Sequence, residues 1–194
     1  LAGTLNFLGH AVLPPACYVA SYRQQQLAKL RVSHLLQANT FLKALLHLEP
    51  ILHFPGPPVT PRDIRILAWS DAAHGSTYGQ SGYLGVLRLS ADQLTTSVFH
   101  LLDWSSSKQS RVSFSSIGSE ILAAANAADR GYALASNFQA LFPNASHNPP
   151  FELQVDAKGL YDTITTLHDS KDYRLRSTVS RIRDAFEAQE IRVL

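Results

Sequence analysis

The run Ile64-Arg-Ile-Leu-Ala-Trp-Ser-Asp71 constrains this chain more than any other stretch. Ile64, Ile66, Leu67, Ala68 and Trp69 leave few polar breaks, so the segment reads as a strand buried on both faces, the kind found in the middle of an α/β sheet. It ends on a carboxylate, and small residues and turn formers follow at once: Ala72, Ala73, Gly75, Ser76 and Gly79. Asp71 is therefore expected at the C-terminal rim of a sheet, where open α/β sheets place their chemistry. Taken alone, Asp71 reads equally as a turn residue or a helix cap, because Asp is common after strands.

Bulk properties leave room for such a sheet. A chain of 194 residues, 45% hydrophobic and 16% charged, can build one good core or one domain with an appendage, and is not disordered. A net charge of +2 and a pI near 8.8 permit nucleic-acid binding without arguing for it. The single cysteine, Cys17, excludes an internal disulfide framework and a Cys-based zinc site, and fits a reducing compartment. No apolar run reaches membrane-spanning length, and the first residues lack the basic start of a signal peptide. With no Met, even at position 1, the sequence reads as an internal segment of something longer or a processed piece.

Residues 1–54 are predicted to be all α. Leu5, Leu8, Val12 and Leu13 share one face, Pro14-Pro15 ends that helix, a second runs from about Ala16 to Leu30, and a third from about Val32 to Leu48. The third carries Leu35, Leu36, Phe41, Leu42, Leu45, Leu46 and Leu48 at helical spacing, and its apolar stripe is expected to need partner surface. His34, His47 and His53 match no compact metal motif and read as surface or core histidines. Pro55-Gly-Pro-Pro58 with Pro61 makes residues 55–61 a stiff linker and the best boundary in the chain.

After that boundary the predicted order is strand (63–71), strand (82–89), strand (96–104), helix (116–141), strand (151–155), helix (157–167), helix (175–189) and a final strand from 190. The first three, with short connections, imply an antiparallel meander. The polar block 105–111 is expected to be a loop. In the long helix Glu120 borders the face of Ile117, Ile121, Ala124 and Ala128, so its carboxylate is aimed toward the sheet. That is costly unless the charge is paired or binds a cation; the ordinary alternative is a helix-start glutamate favouring the dipole. The fourth strand ends on Asp156, repeating the device of the first. Three carboxylates, Asp71, Glu120 and Asp156, thus recur at equivalent rims. Brought together without a cation they would repel. Oxygen ligands of this type suit Mg²⁺ or Mn²⁺, and two such ions roughly 3.5–4 Å apart can activate a water and stabilise the leaving oxygen of a phosphodiester.

Five blocks then carry a resemblance: Trp69-Ser-Asp-Ala-Ala-His-Gly75, Ser81-Gly-Tyr-Leu-Gly85, Leu102-Asp-Trp-Ser-Ser-Ser-Lys-Gln109, Ser115-Ser-Ile-Gly-Ser-Glu-Ile-Leu-Ala123 and Val155-Asp-Ala-Lys-Gly159. In this order and spacing they resemble the ribonuclease H domain of copia-type LTR-retrotransposon polyproteins, over roughly residues 62–194. Residues 1–54 are similar, more loosely, to the thumb or connection end of the preceding reverse transcriptase. The resemblance implies a ribonuclease H-like α/β fold: a five-stranded mixed sheet flanked by helices, after an all-α segment. It implies hydrolysis of the RNA strand of RNA–DNA hybrids with Mg²⁺ or Mn²⁺, two ions, held by Asp71, Glu120 and Asp156. Its expected partners are the hybrid and the remainder of the reverse transcriptase polyprotein, with no membrane, in a cytoplasmic particle or the nucleus. Ser105, Ser106, Lys108, Gln109 and Arg111 are the candidates for contact with the nucleic-acid backbone, against an ordinary polar loop.

The family's fourth acid follows the fifth strand, and the sequence stops at Leu194; Asp162, Asp169, Asp172 and Asp184 read as solvated surface residues and do not replace it. No Tyr-x-Asp-Asp or similar polymerase acid pair occurs. The alternative to an endonuclease is therefore a catalytically inactive nucleic-acid-binding or scaffold remnant of the same fold. An integrase-like nuclease fits less well with the Trp104-Ser-Ser-Ser-Lys-Gln109 block and the helical start.

Overall fold

Residues 64–73 form the strand that the apolar run demands, β1 (Ile64–Ala73). The computed structural model describes residues 2–48, 64–75, 78–89, 99–143, 151–166 and 172–193; the proline-rich linker at 55–61, His53, the turn at 91–94 and Asp169 lie outside them. Around β1 stand β2 (Gln80–Leu89), β3 (Phe99–Lys108), β4 (Phe151–Val155) and β5 (Ile191–Val193), in the order β3-β2-β1-β4-β5. β1, β2 and β3 are antiparallel neighbours, whereas β4 is parallel to β1 and β5 parallel to β4. This is the expected five-stranded mixed sheet, flanked by helices and preceded by a helical segment.

One face of the sheet carries α4 (Ser116–Leu141), α5 (Lys158–Thr165) and α6 (Arg176–Glu187). Ile66, Ala68, Phe151 and Leu153 from the sheet pack there with Ile121, Ala124 and Ala128 of α4, Leu160 and Ile164 of α5, and Val179 and Ile182 of α6. Burying the Ile, Leu, Val and Phe side chains among these is worth about 1.5–3 kcal/mol each, which makes this the main driving force for the architecture. The alanines of α4 let its backbone approach the sheet. At Gly131 even a Cβ would overlap the Phe151 ring, so glycine marks the closest approach of α4 to β4.

The N-terminal helices are α1 (Ala2–Ala11), α2 (Pro14–Gln25) and α3 (Val32–Leu48). On β3, Asp103 reaches Arg130 of α4, so Trp104, next in a strand, points to the opposite face. There its indole N–H donates to the Gly9 carbonyl, and Gln80 bridges Ser21 and Ser106. Helices therefore lie on both sides of the sheet.

Several expectations need correction. The Pro14-Pro15 pair begins a helix as well as ending one: proline is tolerated in the first turn because its missing N–H has no helical partner there. The second helix accordingly starts at Pro14 and gives way after Gln25 to a 3₁₀ turn at Leu27–Lys29. Val12 lies beyond α1 and is exposed. The α3 stripe needs no such correction: Leu45 is buried, and Leu35, Leu36 and Leu46 are exposed, in keeping with a stripe expected to want partner surface. Of the helix face predicted around Glu120, Ile117 is also exposed. The block 105–108 is the end of β3 rather than a loop, paired residue by residue with Gln80 to Tyr83 of β2.

Candidate metal centre

β1 does not stop at Asp71. Its antiparallel ladder with β2 continues to Ala73, with Asp71 opposite Gly82. Its parallel ladder with β4 does end there: Ser70 beside Val155 is the last pair, and Asp71 and Asp156 follow on the adjoining chains. The predicted rim is thus the point where β4 leaves β1, on the strand where antiparallel pairing on one side meets parallel pairing on the other. Glu120 arrives from the first turns of α4, whose start is fixed by Ser115: its hydroxyl accepts from the Gly118 N–H at 3.0 Å.

The result is convergence. Asp71, Glu120 and Asp156 each offer an oxygen lying within 4.8 Å of the other two, and among the described residues they are the one such acidic group. Asp71 and Asp156 are exposed and Glu120 is partly enclosed, its Oε2 buried without a hydrogen-bond partner. Burial, then the charges of Asp156 and Asp71, push the Glu120 carboxyl up to about 7, a backbone hydrogen bond at Ala72 opposing them. Three oxygen ligands around one point, one of them unsatisfied, fit a hard divalent cation such as Mg²⁺ or Mn²⁺. Asp162, Asp172 and Asp184 stand apart from this group; Asp172 caps a 3₁₀ turn and pairs with Arg174.

The five residues expected to touch nucleic acid divide. Lys108 and Arg111 are exposed and, with Ser107, Asn126, Ser177 and Arg181, line an open groove of about 690 Å³ between the end of β3, α4 and α6. The Lys108 ammonium also lies 3.7 Å from the centre of the Tyr78 ring. Ser106 is partly buried and accepts from Gln80. Ser105 and Gln109 are buried, although Gln109 also borders the groove. The strand ladder carries Ser105 inward, and the Gln109 Nε2 is spent on Ser81 and Ser119 while its Oε1 is buried without a partner.

Sequence reasoning also passed over His74, Ser113 and Ser119. The His74 Nδ1 lies 3.1 Å from the Ser119 hydroxyl and 3.3 Å from that of Ser113, and the two hydroxyls are 2.5 Å apart. This cluster joins the chain just after Asp71 to the turn that carries Glu120. The signal available was position alone: His74 and Ser119 fall inside the same blocks as the two acids.

Several solved structures are similar to this chain. They include ribonuclease H1 from the halophilic archaeon Halobacterium salinarum, at 19% identity and a TM-score of 0.43 over 66% of this chain and 82% of that one. The N-terminal ribonuclease H domain of a Mycobacterium tuberculosis protein matches at 15% identity and 0.43, over 67% and 78%. LC11-RNase H1 in complex with an RNA/DNA hybrid matches at 14% and 0.41, over 67% and 83%. No protein-family model and no curated protein matches the chain.

Proposed function

We propose that the protein is a metal-dependent endonuclease that hydrolyses the RNA strand of RNA–DNA hybrids. The observation that carries the reading is the convergence of Asp71, Glu120 and Asp156 at the point where β1 and β4 part, in a mixed sheet of this order. Asp71, Glu120 and Asp156 would hold the divalent cations. A bound cation of this kind supplies Lewis-acid stabilisation of charge on a phosphodiester and a more acidic water. The carboxylates themselves would fix the position of that charge, and Glu120, whose carboxyl is pushed up to about 7 by burial and its two acidic neighbours, would hold a cation in its ionised form. Lys108 and Arg111 line the groove described above, where they are suited to phosphates rather than base edges; Arg181 lies there too but is paired with Asp129 of the same lining. Ser106 remains a weaker candidate for the same role.

The proposal extends to context. The five sequence blocks, in order, support a ribonuclease H domain at 62–194 of a copia-type retrotransposon polyprotein. The helical segment 1–54 would then be the end of its reverse transcriptase, with the stretch at 55–61 as linker and the rest of the polyprotein as partner. Two ions and an intracellular setting belong to the same proposal. Among the described residues, no helix is long and apolar enough to cross a membrane.

The test is incubation with labelled RNA–DNA hybrid and Mg²⁺ or Mn²⁺, beside Asp71→Asn. Cleavage of the RNA strand by the parent and not by the variant is expected. Binding of hybrid without cleavage by either would favour the inactive nucleic-acid-binding reading. Absence of both binding and cleavage would contradict both.

A further inference from the structure

Gln109 leaves the end of β3 and turns inward, with 5% of its surface exposed. Its backbone N–H donates to the Gly79 carbonyl at 2.8 Å. Its side-chain Nε2 has two hydrogens and both are used: one bond goes to the Ser119 carbonyl at 2.8 Å, the other to the Ser81 hydroxyl at 3.0 Å. Those two acceptors belong to the supports of two different acids. The Ser119 carbonyl is part of the peptide that leads directly into Glu120. Ser81 sits on β2 opposite Ala72, one rung from the pair Asp71–Gly82.

We propose that Gln109 is a positioning residue for the carboxylate cluster, holding the first turns of α4 at a fixed distance from β1 and β2 so that Glu120 meets Asp71 and Asp156. This rests on the metal-site reading above. The side-chain chemistry is specific: glutamate lacks the two donors and asparagine is one methylene too short. Gly79 belongs to the same device. A Cβ there would overlap the Gln109 amide and come within 3.0 Å of the Ser119 hydroxyl, so any larger residue at 79 must push Gln109 or Ser119 away. His74, bonded to the Ser119 hydroxyl, gives the turn a second tie on the side of Asp71.

The experiment compares the parent, Gln109→Met, Gly79→Ala, their combination and the mild Ser81→Ala. Each is checked for folding by circular dichroism and titrated with Mn²⁺ by calorimetry without nucleic acid. Hybrid binding is then measured in EDTA. Gln109→Met is expected to weaken Mn²⁺ binding about ten- to a hundredfold, the range for losing a group that orients a ligand. Hybrid binding in EDTA should stay within about twofold, because the amide, though it borders the groove, is 5% exposed and spends both hydrogens inside the protein. Gly79→Ala should reproduce the loss, the combination should be no worse than either single change, and Ser81→Ala should move the same way by less. A variant that folds but keeps the parent's Mn²⁺ affinity overturns the proposal, as does one that loses hybrid binding while retaining Mn²⁺. If Gln109→Met does not fold, Gly79→Ala and Ser81→Ala are judged by the same two outcomes. A parent that binds no Mn²⁺ and cleaves no hybrid refutes the metal-site reading itself, a different result from an intact parent with indifferent variants.

Discussion

Four carboxylates stand on or beside the central strands, and the protein treats them in two ways. Glu152 of β4 is buried, 2% exposed, and forms an ion pair with Arg65 of the neighbouring β1. A buried charge with a cation built beside it is a closed unit that asks for nothing from solvent. Asp71, Glu120 and Asp156 are more exposed, yet no ion pair among the described residues neutralises them, and they face one another. On the proposed reading, a fold that supplies an arginine for one acid and sets three others together without one leaves a place for a mobile cation. On that reading the difference separates a structural charge from a functional one: the first is satisfied within the chain, the second would be satisfied by something added.

This contrast can be broken in four places. The largest effect is expected from Asp156→Asn, which removes a ligand and should lower hybrid cleavage by roughly a thousandfold, beyond the ten- to hundredfold of a lost orienting group. Single-turnover cleavage at saturating Mg²⁺ measures it, and melting temperature should hardly change. Arg65→Ala should do the reverse. It leaves Glu152 buried without its partner and should cost about 3 kcal/mol in urea unfolding, with Mn²⁺ affinity unaltered in the folded protein.

Next comes pH. The Glu120 carboxyl lies at about 7 in the folded protein, above its ordinary 4.5. Between those values the unfolded chain has released its proton and the folded chain still holds it, so the metal-free protein loses stability as pH rises through the window and levels off above 7. At this partly solvated rim the loss is on the order of 1–2 kcal/mol. Glu120→Gln should abolish it, melting higher than the parent at pH 8 without metal, whereas Mg²⁺ should stabilise only the parent. The smallest effect belongs to the groove. Arg111→Ala should weaken hybrid binding several-fold at low salt and reduce the salt dependence by about one phosphate contact, while leaving Mn²⁺ binding alone.

The architecture was largely legible in the sequence because β1, α4 and β4 are dense in apolar residues at a clear period, and their ends carry the acids. α4 and β4 fall at the predicted bounds, and β1 within two residues. What was not legible depends on register. Pairing alone puts Ser105 on a ladder facing inward, keeps β1 going past Asp71, and lets Arg65 of one strand meet Glu152 of another. The polarity of Ser105 and Gln109 suggested surface, but the Gln109 amide ties the Ser119 carbonyl of α4 to the Ser81 hydroxyl of β2 inside the protein. The helix end before β5 gave no glycine signal either: Gln189 adopts the left-handed conformation there, at φ 57°, without one.

The central claim is that Asp71, Glu120 and Asp156 hold a divalent cation together. A crystal of the protein grown with Mn²⁺, with an anomalous difference map at the manganese edge, tests it most directly. The expected result is a peak about 2.0–2.3 Å from an oxygen of each of the three residues. No peak there at saturating Mn²⁺, or peaks only elsewhere on the surface, would contradict it.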